Sequence, residues 1–503
     1  MKGCFVLQRR FLYVGHELAK LLKERGVVED FCAFIQVRDG YEYLRTQKDI
    51  PYSALLLDED VFKAAKGEAI DYDYLKNFER EYGVLWKYIN VDRVLRLGQL
   101  VREYPHDRSP YSHEELLQIL QAYAKRIGAF LDGEKPDFVY MFQPGGLATL
   151  LLYDMAEKRG IPVFTTLIPS MRNLIVVSES YHNMTGVEKL FRENLKKESA
   201  KVARYEEAKA YIEEFRKKPI PYSSVVVGRE KSGRLRQFSF LLPRNLYHTL
   251  HYNFFEIFRQ WWRDPKKRTD YTTINPFLHL YDRAKRKVRN LVGLSDLYDR
   301  FDPSQRLAFY PLQYEPEMGI LMSAPFDTDQ IQIIRRIAQS LPVEMNLYVK
   351  EHPTMVSYRP RRYYEELKKI PNVRLIDPNI PGAEVVKHAS LVASINSSAA
   401  WEGALFGKPV ITFGDAFFNA LSSVERSRTP EELPALVKKQ LKKGGCPEEE
   451  LVRFVAAILE DAASADLMYL WEVEHNLEKK REGLKGLADV LARKIQARAK
   501  SNV

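Results

Sequence analysis

Apolar residues in this chain gather into short unbroken runs, separated by amphipathic or polar stretches of roughly helical length. In the C-terminal half the runs are Leu307–Pro311, Leu347–Lys350, Val373–Ile376, Leu391–Ile395 and Val410–Phe413. In the N-terminal half they are Cys4–Leu7, Phe31–Ile35, Ala54–Leu57, Phe138–Phe142 and Val163–Leu167. Runs without polar alternation suit strands covered on both faces, so the rhythm predicts parallel, doubly wound sheets in an α/β fold. Between them, Val14–Glu24 reads as an amphipathic helix closed by Gly26, and Ser112-His-Glu-Glu115 as a capping box opening a helix to about Leu131. Residues 187–218 form a charged helical stretch, and residues 430–498 read as helices with little β pattern. Pro430 and Pro447 each precede acids placed where a helix dipole favours them.

Polar residues interrupt the pattern where strands end: His352-Pro353 after one run, Asn396-Ser397-Ser398 after another. Ligands of open α/β sheets bind beyond the carboxyl ends of the strands, so motif and expected site coincide. Ser397 and Ser398 open a helix that ends at Gly407, and a helix start with two hydroxyls suits phosphate. His352 is placed to donate to a phosphate and stabilise it as a leaving group. Glu402, one turn into the helix, is placed to accept from ribose hydroxyls. Singly, Ser397 also fits an ordinary N-cap and His352 a satisfied strand-end histidine. Together the ordered set reads as a nucleotide pocket.

These residues resemble the bacterial capsule polysaccharide biosynthesis proteins, which include β-Kdo transferases, and more distantly the bacterial sialyltransferases with their HP and SS motifs. The resemblance rests on Gln313-Tyr-Glu-Pro-Glu317, Lys350-Glu-His-Pro353, Ser397-Ser398 and Glu402 to Gly414. It covers 306–420 well and the N-terminal half loosely. It implies a GT-B fold, two Rossmann-like domains facing across a cleft, with a helical insertion and a helical C-terminus. On that basis the chain divides into an acceptor domain (1–185), a basic and aromatic insertion (186–300), a nucleotide-sugar domain (301–430) and C-terminal helices (431–503), the last expected to cross back onto the first domain.

The implied activity is metal-independent glycosyl transfer without a cofactor. A nucleotide-sugar donor, most simply a CMP-linked ulosonic acid such as Kdo, would meet a saccharide or lipid-linked acceptor. Gln313, Glu317, His352, Pro353, Asn396, Ser397, Ser398, Glu402 and Gly414 are the donor-side residues. His352 is also expected to take part in catalysis. The first domain is expected to supply the remaining catalytic group from His16, Glu17 or Glu179, with Arg172 as a clamp for a carboxylate. Asp58-Glu-Asp60 and Asp71-Tyr-Asp73 have the spacing of a metal motif but read as solvated loop acids. A nucleotide-sugar 2-epimerase, a polyol-phosphate transferase and a non-catalytic scaffold of a polysaccharide assembly complex stay open as alternatives.

Composition narrows this picture modestly. At 503 residues the chain exceeds what one core usually supports. Three cysteines without CxxC spacing argue against structural zinc and for a reducing compartment. The early apolar run is broken at Arg9 and Arg10, unlike a signal peptide, so the protein is expected to be cytosolic or held on the membrane from its inner face. Residues 254–292 interleave Phe254, Phe255, Phe258, Trp261 and Trp262 with many bases, and the net charge is +10. That pattern suits an anionic membrane surface, a nucleic acid, or aromatics packed at a domain interface; membrane contact is the partner expected, with no nucleic acid.

Overall fold

The computed structural model describes residues 1–9, 11–100, 109–171, 173–219, 242–265, 268, 270–315 and 317–501. The first sheet takes β1 (Lys2–Leu7), β2 (Asp30–Ile35), β3 (Tyr52–Leu57), β4 (Phe138–Phe142), β5 (Val163–Leu167) and β6 (Leu174–Ser178). The second takes β7 (Leu307–Pro311), β8 (Asn346–Lys350), β9 (Val373–Ile376), β10 (Leu391–Ser394), β11 (Val410–Thr412) and β12 (Val424–Arg426). A short β13 (Ala463–Ser464), from a region expected to be helical throughout, returns to pair antiparallel with β6.

The strand orders are β13-β6-β5-β4-β1-β2-β3 and β12-β11-β10-β7-β8-β9. All pairs in the second sheet are parallel. Its order runs 3-2-1-4-5-6, which puts a topological switch point between β7 and β10. The chain is a GT-B-like α/β protein.

The predicted buried runs became strands because helices cover both faces of each sheet. Phe5, Phe31, Phe138 and Phe164 are all fully buried on one face of the first sheet, and Phe309 and Tyr348 on the second. The final helix Leu477–Ser501 does cross back. Leu484, Leu487, Leu491 and Ile495 are buried in the same apolar cluster as Leu18 and Leu22 of the helix Phe11–Glu24. Arg25 pairs with Asp489 at 2.6 Å across that contact.

Several local expectations shift. The first helix begins at Phe11, a turn earlier than expected. The charged stretch 187–218 is two helices, Thr185–Asn194 and Tyr205–Lys217. Ser112 and Glu115 do form the reciprocal capping box. Gly407, at φ +69°, follows the helix Ser398–Leu405 in the left-handed conformation that suits glycine. Asp58 and Glu59 are buried, not solvated, and burial pushes the Asp58 carboxyl up to about 8. Asp71 instead caps the helix Tyr72–Tyr82.

Between the sheets, a run of π-helix (Tyr252–Arg259) and a short helix Gln260–Arg263 precede a 17-residue helix, Pro276–Val292. This long helix is anchored to the second domain by two of its bases. Arg286 donates to the Tyr358 hydroxyl at 2.7 Å and lies over its ring, and Arg289 donates to the Tyr358 carbonyl. Part of the basic run is therefore structural.

Candidate functional site

The second sheet's switch point carries the site. Gln313 follows β7 and Asn396 follows β10, and the Gln313 amide donates to Asn396 Oδ1 at 2.9 Å, tying the two strand ends together. Asn396 in turn donates to Ser323 Oγ at 2.6 Å and to the Gly319 carbonyl at 3.2 Å. Gln313 Oε1 is buried and accepts no hydrogen bond.

Ser397 caps the helix Ser398–Leu405 by accepting from the Ala400 N–H at 3.3 Å, the ordinary N-cap role. Ser398 is exposed at the helix start. Gly414 packs so tightly that a Cβ would stand 3.0 Å from both Ile395 and Ser323, so its glycine is a packing requirement.

His352 follows β8 and is exposed. Its Nδ1 accepts from the Thr354 N–H at 3.3 Å and lies 2.7 Å from Thr354 Oγ1. An accepting Nδ1 assigns the proton to Nε2 and makes that nitrogen the ring's donor. Pro353 opens a 3₁₀ turn, and Tyr314 packs edge-on to the imidazole.

Beneath this surface lies a charged network that the sequence did not disclose. Arg359, 2% exposed, donates through Nη1 to both Glu351 oxygens at 2.6 and 2.5 Å. Its Nη2 donates to the Gln313 carbonyl at 2.6 Å and to Glu315 at 3.2 Å. Tyr364 donates to Glu351 at 2.7 Å, and Gln330 to Glu315 at 2.7 Å. Glu351 also accepts from the His352 N–H at 2.6 Å. One guanidinium thus sets the backbone of both the Gln313 loop and the His352 loop. Within the motif, Glu315 joins this network, whereas Glu317 is exposed at the start of the helix Met318–Ser323.

Glu402 lies within electrostatic reach of buried Lys350. Burial pushes its carboxyl up from 4.5 to about 7, with Lys350 pulling the other way. The folded chain then keeps a proton that the unfolded chain releases, so this group's contribution to stability falls as pH rises from about 4.5 through 7. Glu402→Gln is expected to stabilise the protein by roughly 3 kcal/mol at pH 8, at about 1.4 kcal/mol per pKa unit, and to do little at pH 4. Denaturant midpoints at the two pH values check it; equal shifts at both would remove the assignment.

The residues expected from the first domain do not meet in the cleft. His16 is 1% exposed, with Nδ1 2.9 Å from the Tyr52 hydroxyl and Nε2 3.4 Å from Asp49. Burial lowers its pKa, which suits a neutral packing role. Glu17 bonds Lys20 at 2.7 Å and faces Arg481 of the final helix at 3.7 Å. Glu179 is exposed after β6, 3.8 Å from Arg498. Arg172 lies outside the described residues.

A buried carboxylate in that domain was missed. Asp92 accepts from the N–H groups of Val94, Leu95 and Leu147 and from the Tyr271 hydroxyl. It approaches so closely that a Cβ on Gly146 would stand 2.8 Å from its Oδ2, which accounts for glycine at that position. The domains also touch at His182 and Asp415, 2.7 Å apart, with Arg426 on the other side of Asp415.

Comparison with known proteins adds matches over parts of the chain. The chain is 30% identical over 159 residues to Protein FixF of Sinorhizobium fredii (strain NBRC 101917 / NGR234), a match spanning 30% of this chain and 36% of that protein. Among solved structures it is similar to the β-Kdo 2,4 transferase of Thermosulfurimonas dismutans KpsC (16% identity, 75% of this chain and 97% of that one, TM-score 0.39). It is similar also to the β-Kdo 2,7 transferase of the same protein (13% identity, 68% and 83%, TM-score 0.37). A UDP-GlcNAc 2-epimerase from Methanocaldococcus jannaschii gives 11% identity, 92% and 99% coverage and a TM-score of 0.23. Residues 265–432 match the family model described as capsule polysaccharide biosynthesis protein, and they contain Gln313, His352, Ser397, Ser398 and Glu402. The segment that builds this site thus matches the capsule polysaccharide biosynthesis family over about a third of the chain.

Proposed function

We propose that the protein is a glycosyltransferase of surface-polysaccharide biosynthesis that uses a nucleotide-activated sugar, a CMP-linked ulosonic acid such as Kdo being the first donor to test. The observation that carries this reading is the convergence, at the carboxyl ends of β7, β8 and β10, of a histidine with its proton on Nε2, a serine-capped helix start and the Gln313–Asn396 bridge. Such a crevice supplies donors for a phosphate that departs with negative charge, and dipoles fixed in advance for that charge stabilise the transition state. Ser398 and the helix start would receive a phosphate, His352 would donate to the leaving oxygen, and Glu402 would meet the ribose.

Transfer would proceed without a metal. Melting wild type and the Ser397→Ala/Ser398→Ala variant with CMP, CDP, UDP, GDP and ADP, with and without EDTA, tests the reading. A ligand at about 100 times its Kd adds about 2.7 kcal/mol. CMP is expected to stabilise wild type alone, unaffected by EDTA. Response to UDP only would move the reading towards a hexose donor or epimerisation; no response at all would favour a scaffold.

The insertion is proposed to rest on an anionic membrane. Phe254, Trp262, Phe277 and Tyr281 are more than half exposed, beside Arg259, Arg263 and Arg283, a pairing of apolar and basic groups that suits an interface. Among the described residues no helix is long and apolar enough to cross a membrane. Co-sedimentation with phosphatidylglycerol vesicles is expected, and its persistence after serine replaces all four aromatics would refute the surface.

A further inference from the structure

A cavity lies at the open end of the first sheet, and none of the residues assigned to the donor lines it. Its volume is about 470 Å³, within the range of roughly 300–1,000 Å³ that small-molecule sites occupy. Residues following β1, β2 and β3 line it on one side, among them Arg9 and Glu59; the insertion lines the other, with Tyr252, Trp261, Asp270 and His279.

Its polar groups differ in how far they are already satisfied. Asp270, 8% exposed, accepts from Arg9 at 2.7 Å, from the Thr272 N–H at 2.9 Å and from the Thr272 and Thr273 hydroxyls at 2.6 Å each. Glu59, 2% exposed, accepts from the Arg38 N–H at 2.8 Å. These carboxylates are held rigidly. His279 Nε2 is buried and has no hydrogen-bond partner, an uncommon and costly condition in a folded protein. Burial and the neighbouring Arg283 and Arg286 hold this imidazole below its usual pKa, against the pull of Asp282.

The combination discriminates among ligand classes. Two buried carboxylates disfavour an anion, and a purely apolar ligand would leave Nε2 unsatisfied. A neutral polyhydroxylated ring satisfies both: its hydroxyls donate or accept as required, and its C–H faces lie against the rings of Tyr252 and Trp261.

We infer that this cavity is a carbohydrate site that holds the acceptor sugar between Tyr252 and Trp261, with His279 Nε2 paired to one of its hydroxyls. The inference rests on the glycosyltransferase reading for the word acceptor, and on the cavity alone for the sugar. The helix Pro276–Val292 carries His279 at one end and, at the other, Arg289, which donates to the Tyr358 carbonyl beyond His352, so one element joins the two places.

Saturation-transfer NMR on the full chain, using methyl and octyl glycosides of glucose, galactose, mannose, rhamnose and N-acetylglucosamine, tests it. At least one glycoside should bind, and Trp261→Ala and His279→Leu should each weaken it tenfold or more while the response to CMP is unchanged. Octyl glycosides binding tenfold tighter than methyl would identify a lipid-linked sugar as the source; equal affinities would identify a free saccharide. If His279→Leu does not melt cooperatively, Trp261→Ala decides. Binding of none of the panel, or binding indifferent to the variants, overturns the site. Glycoside binding in a protein that ignores every nucleotide would leave the site standing and remove the donor reading.

Discussion

His352→Ala is expected to lower turnover by about 10²–10³-fold, the usual cost of deleting one fixed donor to a developing anion, while leaving the melting temperature almost unchanged. The side chain is exposed, and it bonds Thr354, two residues away. Exposed substitutions of this kind usually stay within about 0.5 kcal/mol. His352→Gln, which retains a donating N–H at similar reach, should recover part of the rate. Nucleotide release under saturating donor, measured for all three proteins, is the check. A rate in the alanine variant close to wild type would take His352 out of the reaction.

Arg359→Ala should produce the opposite profile: loss of folding stability first, with activity following. Glu351 and Glu315 are buried beside that guanidinium, and removing it leaves two carboxylates with their main cationic partner gone. Breaking a buried pair from one side costs about 3–5 kcal/mol. Lysine should not rescue, because one ammonium cannot reach Glu351, Glu315 and the Gln313 carbonyl together as the forked guanidinium does. Denaturant unfolding of Arg359→Ala and Arg359→Lys decides the point. A loss below about 1 kcal/mol, the level of a surface pair, would mean the network is solvated.

The contrast between these residues explains what could be read from the sequence. Strands β4, β5, β7 and β9 were legible to the residue because a strand covered on both faces leaves an uninterrupted apolar run. His352, Asn396 and Ser397 were legible because polar residues at strand ends are conspicuous against such runs. Arg359 and Glu351 were not: an arginine and a glutamate read as surface, and their burial depends on partners at 313, 315, 330 and 364 that only the fold assembles. The same holds for Asp92, whose four donors span residues 94 to 271. His16 and Glu17 were misplaced for a related reason. Position in the first helix suggested the cleft, but the helix buries one face against Tyr52 and presents another to Arg481, more than 400 residues later. The start of that helix was missed because Gln8, Arg9 and Arg10 contain no capping side chain.

The helix Pro276–Val292 also acts as a gauge. His279 near its first turn lines one cavity, and Arg289 near its last turn grips Tyr358, six residues beyond His352. At about 1.5 Å per residue, the ten steps between them span roughly 15 Å along a rod that does not stretch. Whatever binds at the one end is therefore held at a set span from the His352 loop, and any rocking of the cleft must carry the rod with it or lever it off Tyr358. Distance between partners, in this protein, is written into the count of residues along one helix.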